Sequence, residues 1–162
     1  MDKRWILIII IFAIGISGLY YTANESLKVG DAISTMNEVI VTMPQDFRIV
    51  EETLTHVGFQ SRSNDEKIII DTIKSNPDAY KLMKRDLAKL GTGNVKNTSE
   101  KLSDVTVYEI KNLDNGTIKY YFNKFNRTFK MESQHYKDTA KEKADVSYMI
   151  KGLSIDYKVK TS

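Results

Sequence analysis

His56 and His135 are the only histidines of this chain, and no cysteine accompanies them. Imidazole is the side chain best suited to proton transfer at neutral pH and a common zinc ligand. The two histidines lie far apart and neither has a carboxylate at ligand-like spacing. Asp71 or Glu109 could meet them only through folding, and zinc needs three or four converging ligands. Glu51-Glu52, Asp65-Glu66 and Asp114 occupy expected turns and strand ends, where carboxylates are solvated. A catalytic pair among them would have to be assembled in space. Gly91-Thr92-Gly93-Asn94-Val95-Lys96 resembles a phosphate loop in composition but leaves a helix where it should open one, so it reads as a helix stop. Nucleophile-elbow, zinc-protease and calcium-loop motifs are missing, and without cysteine neither a thiolate metal site nor a Cys nucleophile can exist. The expectation is a non-catalytic chain with no catalytic residues, cofactor or metal.

Residues suited to surface chemistry are better represented. Asn97-Thr98-Ser99, Asn115-Gly116-Thr117 and Asn126-Arg127-Thr128 are glycosylation sequons on expected loops or hairpin tips, and Asn24-Glu25-Ser26 is a weaker one near the membrane. Asn115 and Asn126 also suit turns that need left-handed backbone. Among the tyrosines of the last third, Tyr108, Tyr120 and Tyr121 are candidate partner-binding aromatics. Core packing is the competing use for them. Lys137, Lys141, Lys143, Lys151, Lys158 and Lys160 make the C-terminal region basic, which solvated faces explain. A net charge of +3 over 162 residues is no nucleic-acid signature.

Location follows from an uncharged run, Trp5 to Tyr21. At about 1.5 Å per residue a helix of that length reaches roughly 25 Å, enough for a short span. Lys3 and Arg4 before it place the N-terminus in the cytoplasm and the rest outside. Trp5, Tyr20 and Tyr21 suit the membrane interfaces. A cleaved signal peptide is the alternative, with small residues at Ala13, Gly15 and Ser17, though the apolar stretch continues past those sites. A cytoplasmic core helix is a third. The division expected is 1–4 cytoplasmic start, 5–21 transmembrane signal anchor, 22–37 linker, 38–157 extracytoplasmic domain and 158–162 tail.

The elements that must position these residues follow in order. The linker admits a helical turn around Asp31–Met36, and strands are expected at 38–43, 47–51, 54–59 and 67–73. The unalternating Ile68-Ile69-Ile70 reads as a strand buried on both faces. Asn76-Pro77-Asp78 starts a helix whose Tyr80, Met83, Leu87 and Leu90 share a face, and Gly91 stops it. Residues 92–101 read as a polar loop. A hairpin over 105–122 turns at Asn115-Gly116, setting Ile110 opposite Tyr121. Leu113 would then sit opposite Ile118; Ile110 and Tyr121 point one way, and Leu113, Ile118, Tyr120 and Phe122 the other, so both sheet faces need covering. A strand at 127–133 and a helix over 139–154, with Ala140, Ala144, Ser147, Tyr148 and Ile150 or Lys151 at near-helical intervals, complete the order.

The fold class expected is α+β: an N-terminal transmembrane helix, then about seven mostly antiparallel strands in the order β-β-β-β-α-β-β-β-α, with helices on both faces. The segment Val39-Ile40-Val41-Thr42-Met43-Pro44-Gln45-Asp46-Phe47-Arg48-Ile49-Val50 and the hairpin are similar to the Mog1/PsbP-like α/β/α sandwich. That family includes accessory subunits and binding modules, so the resemblance implies no reaction. The whole chain resembles small single-span envelope proteins of unknown function from methane-producing archaea. The functional expectation is an anchored extracytoplasmic binding or accessory module of a membrane or cell-envelope complex, its partner an unknown envelope or membrane protein. A self-associating structural envelope protein is the alternative, and an enzyme with a spatially assembled carboxylate and histidine site the third.

Overall fold

A computed structural model describes residues 32–36, 38–44, 46–73, 78–91, 95–102 and 104–155. Seven strands form one antiparallel sheet: β3 (Phe47–Glu52), β4 (His56–Ser61), β5 (Lys67–Ile73), β9 (Arg127–Gln134), β8 (Ile118–Lys124), β7 (Val105–Asn112) and β6 (Val95–Leu102), in that spatial order. A small antiparallel sheet pairs β2 (Val39–Thr42) with β1 (Ala32–Met36) on one side and β10 (Ser154–Ile155) on the other. Helix α1 (Ala79–Leu90) carries the chain from β5 to the far edge strand β6, which is why it lies across β7 and β8. Helix α2 (Thr139–Gly152) returns the chain from β9 to the small sheet.

The two faces of the large sheet are unlike. One carries Phe47, Phe59, Ile68, Ile70, Tyr120, Phe122, Phe129 and Met131, packed against Met36, Val39 and Val41 of the small sheet and Val146, Met149 and Ile150 of α2. Phe122 and Phe129 stack there at 5.2 Å between ring centres. The other face holds a smaller cluster of Ile110 and Tyr121 under Ala79, Leu82 and Met83 of α1. The expected division of the β7–β8 hairpin between two cores is therefore present, except that Leu113 is exposed at the turn and joins neither.

Several expectations are corrected. Residues 32–36, expected as linker with a helical turn, form β1, and β2 belongs to the small sheet. The expected loop 92–101 yields β6 from Val95 onward, a polar edge strand. The hairpin closes with Lys111 opposite Ile118 and a hydrogen bond from Asn112 N–H to Thr117 O, so the loop exceeds two residues and Ile110 faces Lys119. That shift is by two, so every side chain keeps its face. In β5, Ile68 and Ile70 are buried but Ile69 is only partly so, because α1 does not reach that part of the sheet. Helix α1 buries Ala79, Leu82 and Met83, leaving Tyr80 and Leu90 exposed, and Asp78 caps it by accepting from Tyr80 N–H. Gly91 ends it at φ 74°, as its position predicts. Helix α2 buries Glu142, Val146, Met149 and Ile150, so of the expected residues Ile150 is buried while Ala140, Ala144 and Tyr148 are exposed.

The expected span over 5–21, with Trp5, Tyr20 and Tyr21, lies outside the described residues, as do Asn24, Lys158 and Lys160. Among the described residues no helix is long and apolar enough to cross a membrane.

Candidate functional site

The half of the second face formed by β3, β4 and β5 carries an ordered polar network. Pairing sets His56 opposite Asp71 and Gly58 opposite Glu51, with a bulge between Ile49 and Glu51 in β3. His56 Nδ1 lies 2.6 Å from Asp71 Oδ1 and Nε2 lies 3.1 Å from Glu51 Oε2. Lys67 Nζ donates to the other Glu51 oxygen at 2.5 Å. Gly58 makes room for this chain of contacts. A Cβ there would stand 3.2 Å from Glu51 Cβ and 3.6 Å from Lys67 Cε.

Carboxylates beside both ring nitrogens favour the charged form of His56, an imidazolium able to donate to each. Partial burial works against that charge. The hydrogen bonds to Asp71 and then Glu51 outweigh it, so the His56 pKa rises above its ordinary value. Hydrogen bonds from Lys67 and His56 hold Glu51 below the usual carboxylate range. The imidazolium has no lone pair for abstracting a proton or ligating a metal. Among the described residues no three His, Asp or Glu side chains converge on a metal position.

A second polar cluster is buried between the opposite face and α2. Tyr120 and Ser133 hydroxyls both donate to Glu142 Oε1. Thr98 donates to Glu109 Oε2 at 3.2 Å, and Lys143 Nζ donates to both Glu100 oxygens at 3.0 Å. Burial, then the hydrogen bond and charge of Glu100, push Glu109 up to about 7. Burial also raises Glu142, although Ser133 and Tyr120 stabilise its ionised form. Among the described residues Glu109 Oε1 has no hydrogen-bond partner, and Lys143 Nζ lies 3.9 Å from it.

A cleft of about 510 Å³ at one end of the large sheet is lined by Asn64, Asp65, Glu66, His135, Tyr136 and Lys137. Its wall is braced by the Glu66–Lys141 ion pair and by Tyr136 O–H, which donates to Asp145 at 3.0 Å. His135 is thus remote from His56, and Glu109 faces the opposite side of the sheet. Only His56 and Asp71 of the proposed His–carboxylate partners come together.

The other predicted residues divide clearly. Asn97 is exposed on β6, whereas Asn115 and Asn126 are exposed at hairpin tips. Asn115 Oδ1 accepts from Thr117 N–H, and Asn126 adopts φ 54°. Tyr120 and Tyr121 are fully buried and so unavailable to a partner, with Tyr121 O–H donating to Asp86. Tyr108 is half-buried and tilts against Tyr80 at 5.3 Å. Tyr80, Phe125 and Tyr148 are the more exposed aromatic rings among the described residues, and Tyr80 escaped the candidates because it sits on a predicted buried helix face. Glu51, expected as a solvated strand-end carboxylate, instead meets His56 and Lys67 beside a β3 bulge that has no sequence signature.

No family model and no curated protein matches this chain. Among solved structures, a protein of Bacteroides thetaiotaomicron VPI-5482, determined by crystallography at 1.50 Å resolution, is similar with a TM-score of 0.51 and 12% identity. The match covers 83% of this chain and 51% of that one, so this chain spans about half its length. The likeness is one of fold.

Proposed function

We propose that the chain is a membrane-anchored extracytoplasmic binding or accessory module of a membrane or cell-envelope complex, and that the part of the large sheet α1 leaves uncovered is its docking face. The observation carrying this reading is the Asp71–His56–Glu51–Lys67 network. It holds polar side chains of three strands in one arrangement on a partly exposed face, so a partner would meet donors and acceptors already ordered. The uncharged run from Trp5 to Tyr21 supports the anchor. The chain enters the described fold at β1, on the sheet's covered side, so a tether there leaves the network side free for a partner. The finer fold reading, a Mog1/PsbP-like sandwich, belongs to the same proposal and draws on the antiparallel sheet packed on both faces.

The test is a photo-reactive residue in place of Gln60, on the same face as Lys67, compared with one in place of Lys151 on exposed α2, each in the full-length chain in its own membranes. A discrete adduct from position 60 that is absent from position 151, and lost when Asp71→Lys is added, is expected. Identical adducts from both positions, or none from position 60, would overturn the docking face.

A further inference from the structure

We infer that β6 is a self-association edge, at which two copies of this chain join their large sheets by antiparallel pairing of β6 with β6 about a two-fold axis through Thr98. Strand β6 ends the sheet and pairs with β7 without a register shift from Val95 to Leu102, so alternate residues along its eight positions present N–H and C=O groups outward, with no strand beside them among the described residues. The opposite edge differs: β3 is broken by the bulge between Ile49 and Glu51, a device that discourages strand addition. An added antiparallel strand completes such a row, and identical copies do so through an isologous contact.

Register follows from backbone alternation and charge. Every second β6 residue directs its N–H and C=O outward, so a symmetric pair must centre on a residue and not on a peptide bond. The bond-centred register between Thr98 and Ser99 would also oppose Lys96 to Lys101. An axis through Ser99 sets Lys96 against Leu102 and Asn97 against Lys101, giving no ion pair. The axis through Thr98 sets Lys96 against Glu100 of the second copy twice, Asn97 against Ser99 and Thr98 against itself. Lys96 is exposed and makes no ion pair among the described residues. Glu100 accepts one hydrogen bond from Lys143 on each oxygen and keeps lone pairs for a second cation. Thr98 donates to Glu109, and even-numbered β6 positions share that face, so Lys96 and Glu100 lie on one side of the joined sheet. The proposed docking face, at β3–β4–β5, stays free at the far ends of the joined sheet.

The chain contains no cysteine, so one introduced thiol reports one position. Residues directly opposed across an antiparallel pair have Cα atoms about 4.5–5.5 Å apart, within the range a disulfide spans. Full-length chains carrying Asn97→Cys, Thr98→Cys or Ser99→Cys would be oxidised in their own membranes and read by non-reducing electrophoresis. Thr98→Cys is expected to give a covalent dimer at least tenfold more abundant than either neighbour. Adding Lys96→Glu should reduce it about tenfold. Mixing K96E/T98C with E100K/T98C should restore it, because each copy then opposes Glu to Lys at both sites. The trapped dimer should carry no glycan on Asn97, whose side chain shares the edge.

A Thr98→Cys yield equal to its neighbours, a maximum at Ser99→Cys, or a dimer indifferent to Lys96→Glu would overturn the inference. Lys96→Glu alters an exposed side chain, so sedimentation of that variant without any cysteine, against the unaltered chain in the same detergent, gives a second reading. Equal association of the two would overturn the inference independently of disulfide formation.

Discussion

Glu109 shows how a single residue can be misread from sequence. It stands between Tyr108 and Ile110 in β7, and the fold buries it beside Glu100. Its native pKa of about 7 exceeds the ordinary 4.5, so between those values the native state binds more protons than the unfolded chain. Stability from this group is full below 4.5 and lost as pH rises through 7. Glu109→Gln should therefore be more stable than the parent at pH 8 and should flatten the decline between pH 5 and 8, measured by urea unfolding. A parent and variant with the same pH slope would show that Glu109 is ionised throughout. His56 has the same sign: its raised pKa contributes stability present below 6.5 and lost as pH rises through the native value. Being part-exposed, its ion pairs are worth at most about 1 kcal/mol. Asp71→Asn should move the His56 ring titration, followed by NMR, downward. An unmoved midpoint would mean that Glu51 alone sets it. The His56–Asp71 pairing was conceivable from sequence only as one option among several, because the register depends on how the 61–66 turn closes.

At the scale of elements, strands and helices with strong apolar or capping signals were legible and polar ones were not. The Gly91 stop and the β7 and β8 strands follow from their residues, and Asn76-Pro77-Asp78 announces the first helix, although its cap is Asp78 and not Asn76. Strand β6 was hidden because an edge strand, with one neighbour and little to bury, needs no period-two pattern: Val95, Glu100 and Leu102 are only partly covered. The buried stripe of α2 was hidden because it begins with a carboxylate, Glu142, whose burial is tolerated through Tyr120 and Ser133. The same helix closes against β2 at Gly152, where an added Cβ would lie 2.7 Å from Thr42 Cβ. Thr42 Oγ1 donates to Gly152 O at 3.1 Å, so the approach is fixed by that bond. Gly152→Ala should destabilise the fold by about 1–3 kcal/mol through overpacking. Denaturant unfolding checks this, and a loss below about 0.5 kcal/mol would mean that α2 and β2 separate freely.

For the whole molecule, apolar residues on both faces of one hairpin required a sheet covered twice, and that much was readable before any coordinates. The extent of each cover was not readable, because it depends on the path of the crossover from β5 to β6. The second core centres on the strands that α1 lies across, β7 and β8, with Ile73 of β5 and Val95 of β6 at its margin, and the far part of that face carries the polar network instead. That asymmetry gives the molecule a covered side, where the chain enters at β1, and a network side. If the run from Trp5 to Tyr21 anchors the chain, the membrane fraction should yield the full 18.6 kDa mass, plus increments for any occupied sequon. Protease added outside intact cells should then remove the domain, beginning at exposed loops such as that of Leu54. A lighter species in the external soluble fraction, beginning near Ile16 or Gly18, would instead mean a released domain. Its partners would then have to be sought among secreted ligands and wall polymers. Digestion only after lysis would reverse the topology and remove the extracytoplasmic reading, while leaving the pairing of β6 open to its own test.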